Sequence, residues 1–368
     1  MNYVLSIDWL SIFCIHYQSG DWSPVEDGRF SFKKESFGTR CFSQFWRARI
    51  ANDEGGWDEF AEIQAKPYEG SVIPSYAISV RFCNRTLYMP DFWNIVDDFL
   101  IRNTLACESI SRIDICADFN NFASIAPRAL IEGFAAKKYR HIGRGVGALY
   151  FNHGLGAEFD ESGRRIPDYG VQYTGLSFGT HASDAHCYLY NKTLELATQG
   201  DKPWIRDVWN NAGLDVKNVW RLEISIKSKG LKFKDKKSGM NIQVNASMVM
   251  DNSALDKIYH TFVKRLFSFV RNRKGITNIT REWQQSGLVL FEGKPAWDRG
   301  TIRNASPGNR AEKILIKNLY QFADKYRGQN IFDAQEQSQH LANCLAYATG
   351  LHDWLLDKIN EWETPIHK

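Results

Sequence analysis

The chain lacks a cysteine framework. Its seven cysteines, at 14, 41, 83, 107, 116, 187 and 344, form no C-x-x-C pair and are odd in number. That excludes a disulfide scaffold and a zinc ribbon, and leaves the thiols as small buried hydrophobes. No run of about 18 uncharged apolar residues occurs, so no membrane-spanning helix is predicted. The opening MNYVLSIDWLSIF has neither a basic n-region nor a small-residue cleavage site, which predicts a cytoplasmic chain that is not exported. No G-x-x-x-x-G-K-[ST] is present, and GRGVG at 143–147 does not match G-x-G-x-x-G, so nucleotide hydrolysis is not supported. None of the nine histidines forms a His-hydrophobe-His pair, which removes a histidine-clamped metal.

What is present is a soluble, globular composition, 43% hydrophobic and 24% charged, in 368 residues, enough for two domains. The net charge of +4 is unevenly spread. Residues 1–100 carry 9 lysines and arginines against 14 acids, and residues 255–368 carry 17 against 12. Two dense basic runs, KSKGLKFKDKK (227–237) and KRLFSFVRNRK (264–274), suit a polyanion. Their candidate nucleic-acid contacts are Lys227, Lys229, Lys232, Lys234, Lys236, Lys237, Lys264, Arg265, Arg271, Arg273 and Lys274. The ordinary alternative for each run is a set of solvated lysines on a loop or helix face.

Residues 4–13 and the aromatic segments up to about residue 89 read as strands, closed by Pro90. Phe92, Ile95, Val96, Phe99 and Leu100 follow helical spacing, with Asp91 as N-cap. A second helix is predicted at 126–136 and a third near 193–212. Glycine-rich residues 142–180 suggest short strands and long loops. Strands followed by a helix occur twice, which predicts an α+β fold: an antiparallel-rich sheet with helices on one face, built as a duplicated unit. Beyond about residue 253 the pattern turns helical, at Tyr259, Phe262, Val263, Leu266, Phe267 and Val270, then around Leu315, Leu319 and Phe322, and last at Leu355, Ile359 and Trp362. This predicts a catalytic domain at 1–253 and a small helical accessory domain at 254–368, for DNA or helicase binding.

Three alternating segments carry the chemistry. RIDICAD (112–118) puts Arg112, Asp114, Cys116 and Asp118 on one face, HCYLYNKTLEL (186–196) puts His186, Tyr188, Tyr190 and Lys192 there, and WRLEISIK (220–227) adds Arg221 and Glu223. A tyrosine nucleophile attacks phosphorus and conserves the phosphodiester as phosphotyrosine, but its pKa of about 10 demands a nearby cation or base. Lys192 could serve, while Asp114, Asp118 and Glu223 are hard oxygen donors suited to Mg²⁺ or Mn²⁺. The plain alternatives are sheet packing for the tyrosines and cross-strand ion pairs for the rest. His141-x-x-Arg144, with Arg112 before and a tyrosine after, mimics the order in tyrosine recombinases, but those enzymes place such groups on helices near the C-terminus.

IDWLSI, SRIDICADF, GLSFGTHASDAHCYLYNK and VWRLEISIK, in that order, resemble the Rep_trans replication initiation factors of rolling-circle plasmids, phages and conjugative elements, nearest to Bacteroides-type versions. The resemblance covers about residues 1–240. It implies a bacterial nicking and closing enzyme that cuts one origin strand and stays on the 5′ end through tyrosine. The family's Tyr-x-Lys element falls on Tyr190 and Lys192, its acidic motifs on Asp114, with Asp118 possible, and on Glu223. Arg221 would contact phosphate or orient Glu223, and Tyr188 could substitute for Tyr190 or act as a second nucleophile. The implied partners are double- and single-stranded origin DNA, a host helicase and polymerase, and a second copy of the chain; no membrane is implied. A conjugative relaxase with the same chemistry, a non-catalytic DNA-binding regulator and an RNA-binding protein are the competing readings.

Overall fold

The computed structural model describes residues 2–18, 21–69, 73–143, 147–153, 171–235, 241–271, 287–291 and 297–298, with Leu319, Leu341, Ala342 and Ala346 singly. The chain divides into two compact units, Met1–Arg299 and Gly300–Lys368. Leu319, Leu341, Ala342 and Ala346 are helical, and the remainder of the helical runs expected after residue 300 lies outside the described residues.

The first unit is built on one ten-stranded sheet. Its strands are β1 (Tyr3–His16), β2 (Phe30–Lys34), β3 (Phe42–Ala51), β4 (Trp57–Pro67), β5 (Ala77–Phe82), β6 (Leu105–Phe119), β8 (Gly147–His153), β9 (Val171–Phe178), β10 (Ala185–Asn191) and β11 (Trp220–Lys227). Strand β7 (Tyr139–His141) pairs instead with Phe269–Arg271. The order in the large sheet is β2-β3-β4-β5-β1-β6-β11-β10-β9-β8. The two longest strands, β1 and β6, meet at the centre, and each is flanked outward by the last strand of its own half and then by the others in reverse. Both halves share that connectivity, which is the duplicated α+β arrangement expected from the sequence.

Helices α1 (Asn84–Leu87) and α2 (Phe92–Arg102) end the first half, α3 (Pro127–Ala135) follows β6, and α4 (Lys192–Gln199) and α5 (Pro203–Asn211) lie between β10 and β11. The predicted single helix over 193–212 is thus two, because Gly200 takes φ 115° and Pro203 starts a new helix. Asp91 occupies the N-cap of α2 but its side chain makes no cap hydrogen bond, whereas Asn191 caps α4 by accepting from Leu194 N at 2.8 Å.

Helices α2 and α3, together with α6 (Ala246–Met250) and α7 (Asn252–Leu266), cover the face made by Leu10, Ile12, Val80, Ile113, Ile115, Leu222 and Ile224. Phe99 is fully buried there against Phe30 and Phe60. Truncating such a ring to alanine costs about 3–5 kcal/mol. Because Ile258, Tyr259, Phe262 and Leu266 of α7 join this same core, the change of character near residue 253 is one of secondary structure within a unit that continues to Arg299. A smaller cluster, Leu196, Ile205, Trp209, Leu214 and Val219, seats α4 and α5 against one end of the other face. No helix among the described residues is long and apolar enough to cross a membrane.

Candidate active site

Register places the chemical groups side by side on the face away from the main core. Strand β11 lies between β6 and β10, so Arg221 sits opposite Asp118 and Tyr190, Glu223 opposite Cys116 and Tyr188, and Ser225 opposite Asp114 and His186. Alternation along each strand keeps these residues on one side.

Tyr190 is at the centre. Its hydroxyl donates to Glu223 Oε2 at 3.1 Å and accepts from Lys192 Nζ at 3.4 Å. Lys192 does not extend the strand as expected, since β10 ends at Asn191 and Lys192 opens α4, yet its ammonium folds back over the Tyr190 ring at 5.5 Å. That ammonium is almost wholly buried and pairs with Glu195 at 2.8 Å. Burial, then the Glu223 carboxylate, push the Tyr190 phenol well above its ordinary pKa. Tyr188 stacks on Tyr190 with ring centroids 4.7 Å apart, and burial raises its pKa to about 12. Both tyrosines line an open trench of about 520 Å³ with Asp8, Thr174, Lys192, Glu195 and Glu223.

Two expected site residues have other duties. Arg221 is fully buried and meets Asp118 as a fork, Nε to Oδ1 at 2.6 Å and Nη2 to Oδ2 at 2.7 Å, while Trp209 Nε1 donates to Asp118 Oδ2 at 2.7 Å. Asp118, 1% exposed, is therefore committed to structure rather than to a metal, and Arg221 is out of reach of a phosphate in the trench. Nor does Arg221 touch Glu223: its remaining donors go to Asp8 Oδ1 at 2.5 Å and to the Tyr88 hydroxyl at 3.3 Å. Asp114 lies beside Glu223 but is gripped by Arg112 through Nε–Oδ1 at 2.9 Å and Nη2–Oδ2 at 2.5 Å.

Asp8 is the group that reading the sequence missed. The β1–β6 register slips between Ile7 and Trp9, a β-bulge that leaves Asp8 as the extra residue and points it to the trench face together with Trp9. The signal was a change of parity: apolar residues facing the core are Tyr3, Leu5 and Ile7 before the bulge and Leu10, Ile12 and Cys14 after it. Burial would raise the Asp8 carboxyl, but Arg221 and Lys192, with hydrogen bonds from Arg221 and Asn84, hold it well below the usual range.

Glu223 responds in the opposite direction. Burial first, then the negative charges of Asp8 and Asp114, raise its pKa to about 7. Among the described residues no three His, Cys, Asp or Glu side chains converge as a complete metal cage. Mg²⁺ ordinarily takes only one or two carboxylates and completes its shell with phosphate oxygens and water. Asp8 and Glu223, two hard oxygen donors on one trench in an excess of negative charge, fit that pattern; Asp118 does not.

Among the described residues, the basic runs are not gathered at this trench. Lys227 donates to the His181 carbonyl at 2.5 Å, Lys229 lies in the turn Ser228–Gly230, and Lys232 and Lys234 lie on the short strand Lys232–Asp235. Lys264 and Arg265 end α7, which packs behind the sheet through Tyr259, whose hydroxyl donates to the Leu222 carbonyl at 3.1 Å. Arg271 is exposed at the end of Phe269–Arg271. Lys236, Lys237, Arg273 and Lys274 lie outside the described residues, as does Arg144 of the His-x-x-Arg pattern.

No protein-family model matches the chain, and no curated protein matches it. Among solved structures, a rolling circle replication initiator protein from Geobacillus stearothermophilus is similar to it, with a TM-score of 0.40 and 12% sequence identity over 78% of this chain and 92% of that one.

Proposed function

We propose that the chain is a DNA strand transferase that nicks one strand of an origin through a 5′-phosphotyrosine at Tyr190, the initiating step of rolling-circle replication. The observation that carries this reading is the Tyr190 hydroxyl set between a carboxylate at 3.1 Å and an ammonium at 3.4 Å on an open trench.

A phenol with a raised pKa is protonated near neutrality, so it needs a base at the moment of attack. Glu223, with its pKa near 7, is matched to that role and already accepts the Tyr190 hydrogen bond. The Tyr190 oxygen bonds to phosphorus, the bond from phosphorus to the 3′ oxygen breaks, the phenolic proton passes to Glu223, and the departing 3′ oxygen takes a proton from water. Lys192 stabilises the negative charge on the phenolic oxygen as the proton leaves. Arg221 is a positioning residue that holds Asp8 at the trench. Asp8 and Glu223, with Asp114 alongside, would hold a Mg²⁺ or Mn²⁺ ion, which would draw charge from the phosphate. Rejoining by the reverse reaction needs no ATP, because the phosphotyrosine keeps the phosphodiester energy. A host polymerase extending the free 3′ end, a host helicase and a second copy of the chain belong to the same proposal.

Incubation with supercoiled plasmid bearing the cognate origin and Mg²⁺ tests it. A nicked circle with protein on the 5′ end is expected, and none with Tyr190→Phe. A regulator without catalysis would leave the plasmid closed with either protein. A conjugative relaxase would give the same adduct at a transfer origin.

A further inference from the structure

The trench face continues past Glu223 into a second constellation. Trp9 of β1 stands between its neighbours in the sheet, Arg112 of β6 and Arg81 of β5, whose guanidinium carbons lie 4.5 and 4.6 Å from its ring centroid. Strand order brings the two cations in from β5 and β6, the strands on either side of β1, so one ring carries two guanidinium groups. Trp9 Nε1 donates to Ser11 Oγ at 2.9 Å, Arg112 is fixed by Asp114 and Arg81 by Glu62, so neither cation is floppy. Both arginine side chains are still more than a third exposed, at 38% and 36%. A guanidinium that forks onto a carboxylate through one edge keeps further N–H groups for an outside acceptor.

On the other side of Glu223 the tyrosines form a series. Tyr190 stacks with Tyr188 at 4.7 Å, and Tyr188 meets Tyr150 of β8 at 5.0 Å, so the series runs from a nearly buried ring to one 44% exposed. Gly175 of β9 makes room for it, because a Cβ there would come within 2.7 Å of the Tyr188 ring. Exposed rings at one end and held cations at the other are the two components of sequence-tolerant single-strand binding: π-faces for bases and positive charge for the backbone.

We infer that this face is a track for single-stranded DNA, with bases stacking on the Tyr150–Tyr188 side and backbone phosphates held by Arg112 and Arg81 around Trp9 on the other. From β8 to β5 the sheet makes six steps of about 4.8 Å, roughly 29 Å, room for several extended nucleotides across the trench. The inference rests on the reading of Tyr190 as nucleophile for the strand's direction. Binding itself requires no chemistry, so the two can fail separately.

The test is fluorescence anisotropy of labelled oligothymidylate with the whole chain in EDTA, across a salt series. Arg81→Ala is expected to weaken binding about tenfold and make the salt slope shallower by about 1. Tyr150→Ala is expected to weaken it severalfold with the slope unchanged, and Lys264→Ala, behind the sheet, to bind within twofold of the parent. Arg81→Lys, keeping the charge, separates lost contact from misfolding and should recover part of the affinity. Unchanged binding in both Arg81→Ala and Tyr150→Ala, or a loss confined to Lys264→Ala, overturns the track, as does tighter binding of oligouridylate than of oligothymidylate. Binding as expected in a protein that does not nick keeps the track and removes the nucleophile; nicking with indifferent Arg81 and Tyr150 variants does the reverse.

Discussion

Arg221 Nη1 lies 2.5 Å from Asp8 Oδ1, joining residues 213 positions apart on β11 and β1 across the intervening β6. The same guanidinium holds Asp118, so one fully buried cation serves a structural carboxylate and a trench carboxylate. Removing one partner of a buried pair leaves an uncompensated charge and costs about 3–5 kcal/mol. Arg221→Met is therefore expected to lower thermal stability by that order, and Asp118→Asn by less, because the amide keeps an acceptor for one arm of the fork. Thermal unfolding monitored by circular dichroism reads both, and an Arg221→Met protein as stable as the parent would remove the network from the account.

The pH dependence follows from Glu223. Its folded pKa of about 7 lies above its ordinary value of 4.5, so the folded chain holds a proton there that the unfolded chain has lost. Stability from this group consequently falls as pH rises between those two values. Nicking is expected to rise with pH as the base ionises, with its midpoint at or below about pH 7, because a cation held beside Glu223 favours the ionised carboxylate. Glu223→Gln should flatten the stability slope and abolish the rising limb along with most activity. Denaturant midpoints and initial nicking rates over pH 5–8 check the pair; a rising limb that survives in Glu223→Gln would assign the base elsewhere.

Lys192 is held at the phenol by its pairing with Glu195. Lys192→Met removes the cation while keeping much of the side-chain bulk, and covalent-adduct formation is expected to slow about 100-fold, as for loss of one charge-stabilising donor. Single-turnover rates give the comparison, and a Lys192→Met protein with the parent rate would leave the phenolate without its proposed stabiliser.

Gly175 is required by contact. An added methyl would lie 2.7 Å from Tyr188 Cε2 and 2.8 Å from the Leu189 carbonyl oxygen. Gly175→Ala is expected to displace the Tyr188 ring at a cost of about 1–3 kcal/mol, and to weaken oligothymidylate binding as well. A variant that melts and binds like the parent would show the ring has another place to go.

Much of this arrangement was legible in alternation. Asp114, Tyr188, Tyr190 and Glu223 each fall on the polar phase of a strand, and antiparallel register brings those phases together. Alternation gives the face but not the partner, so Asp118 and Arg221 could not be told from trench groups until Trp209 and α5 were seen closing over them. Asp8 was hidden by a bulge that reverses parity in mid-strand, and Trp9 with it. The helix expected over 193–212 has helical spacing on both sides of Gly200, and only backbone conformation divides it. Lysine-rich runs suggested DNA contacts by density, yet Lys264 and Arg265 ride on a helix whose apolar stripe sends it behind the sheet.

The most direct measurement is mass spectrometry of the peptide that retains nucleotide after incubation with a labelled single-stranded origin oligonucleotide and Mg²⁺. A nucleotide adduct on the oxygen of Tyr190 is expected. An adduct on Tyr188 alone, or no adduct while the strand is cut, would rule out Tyr190 as the nucleophile.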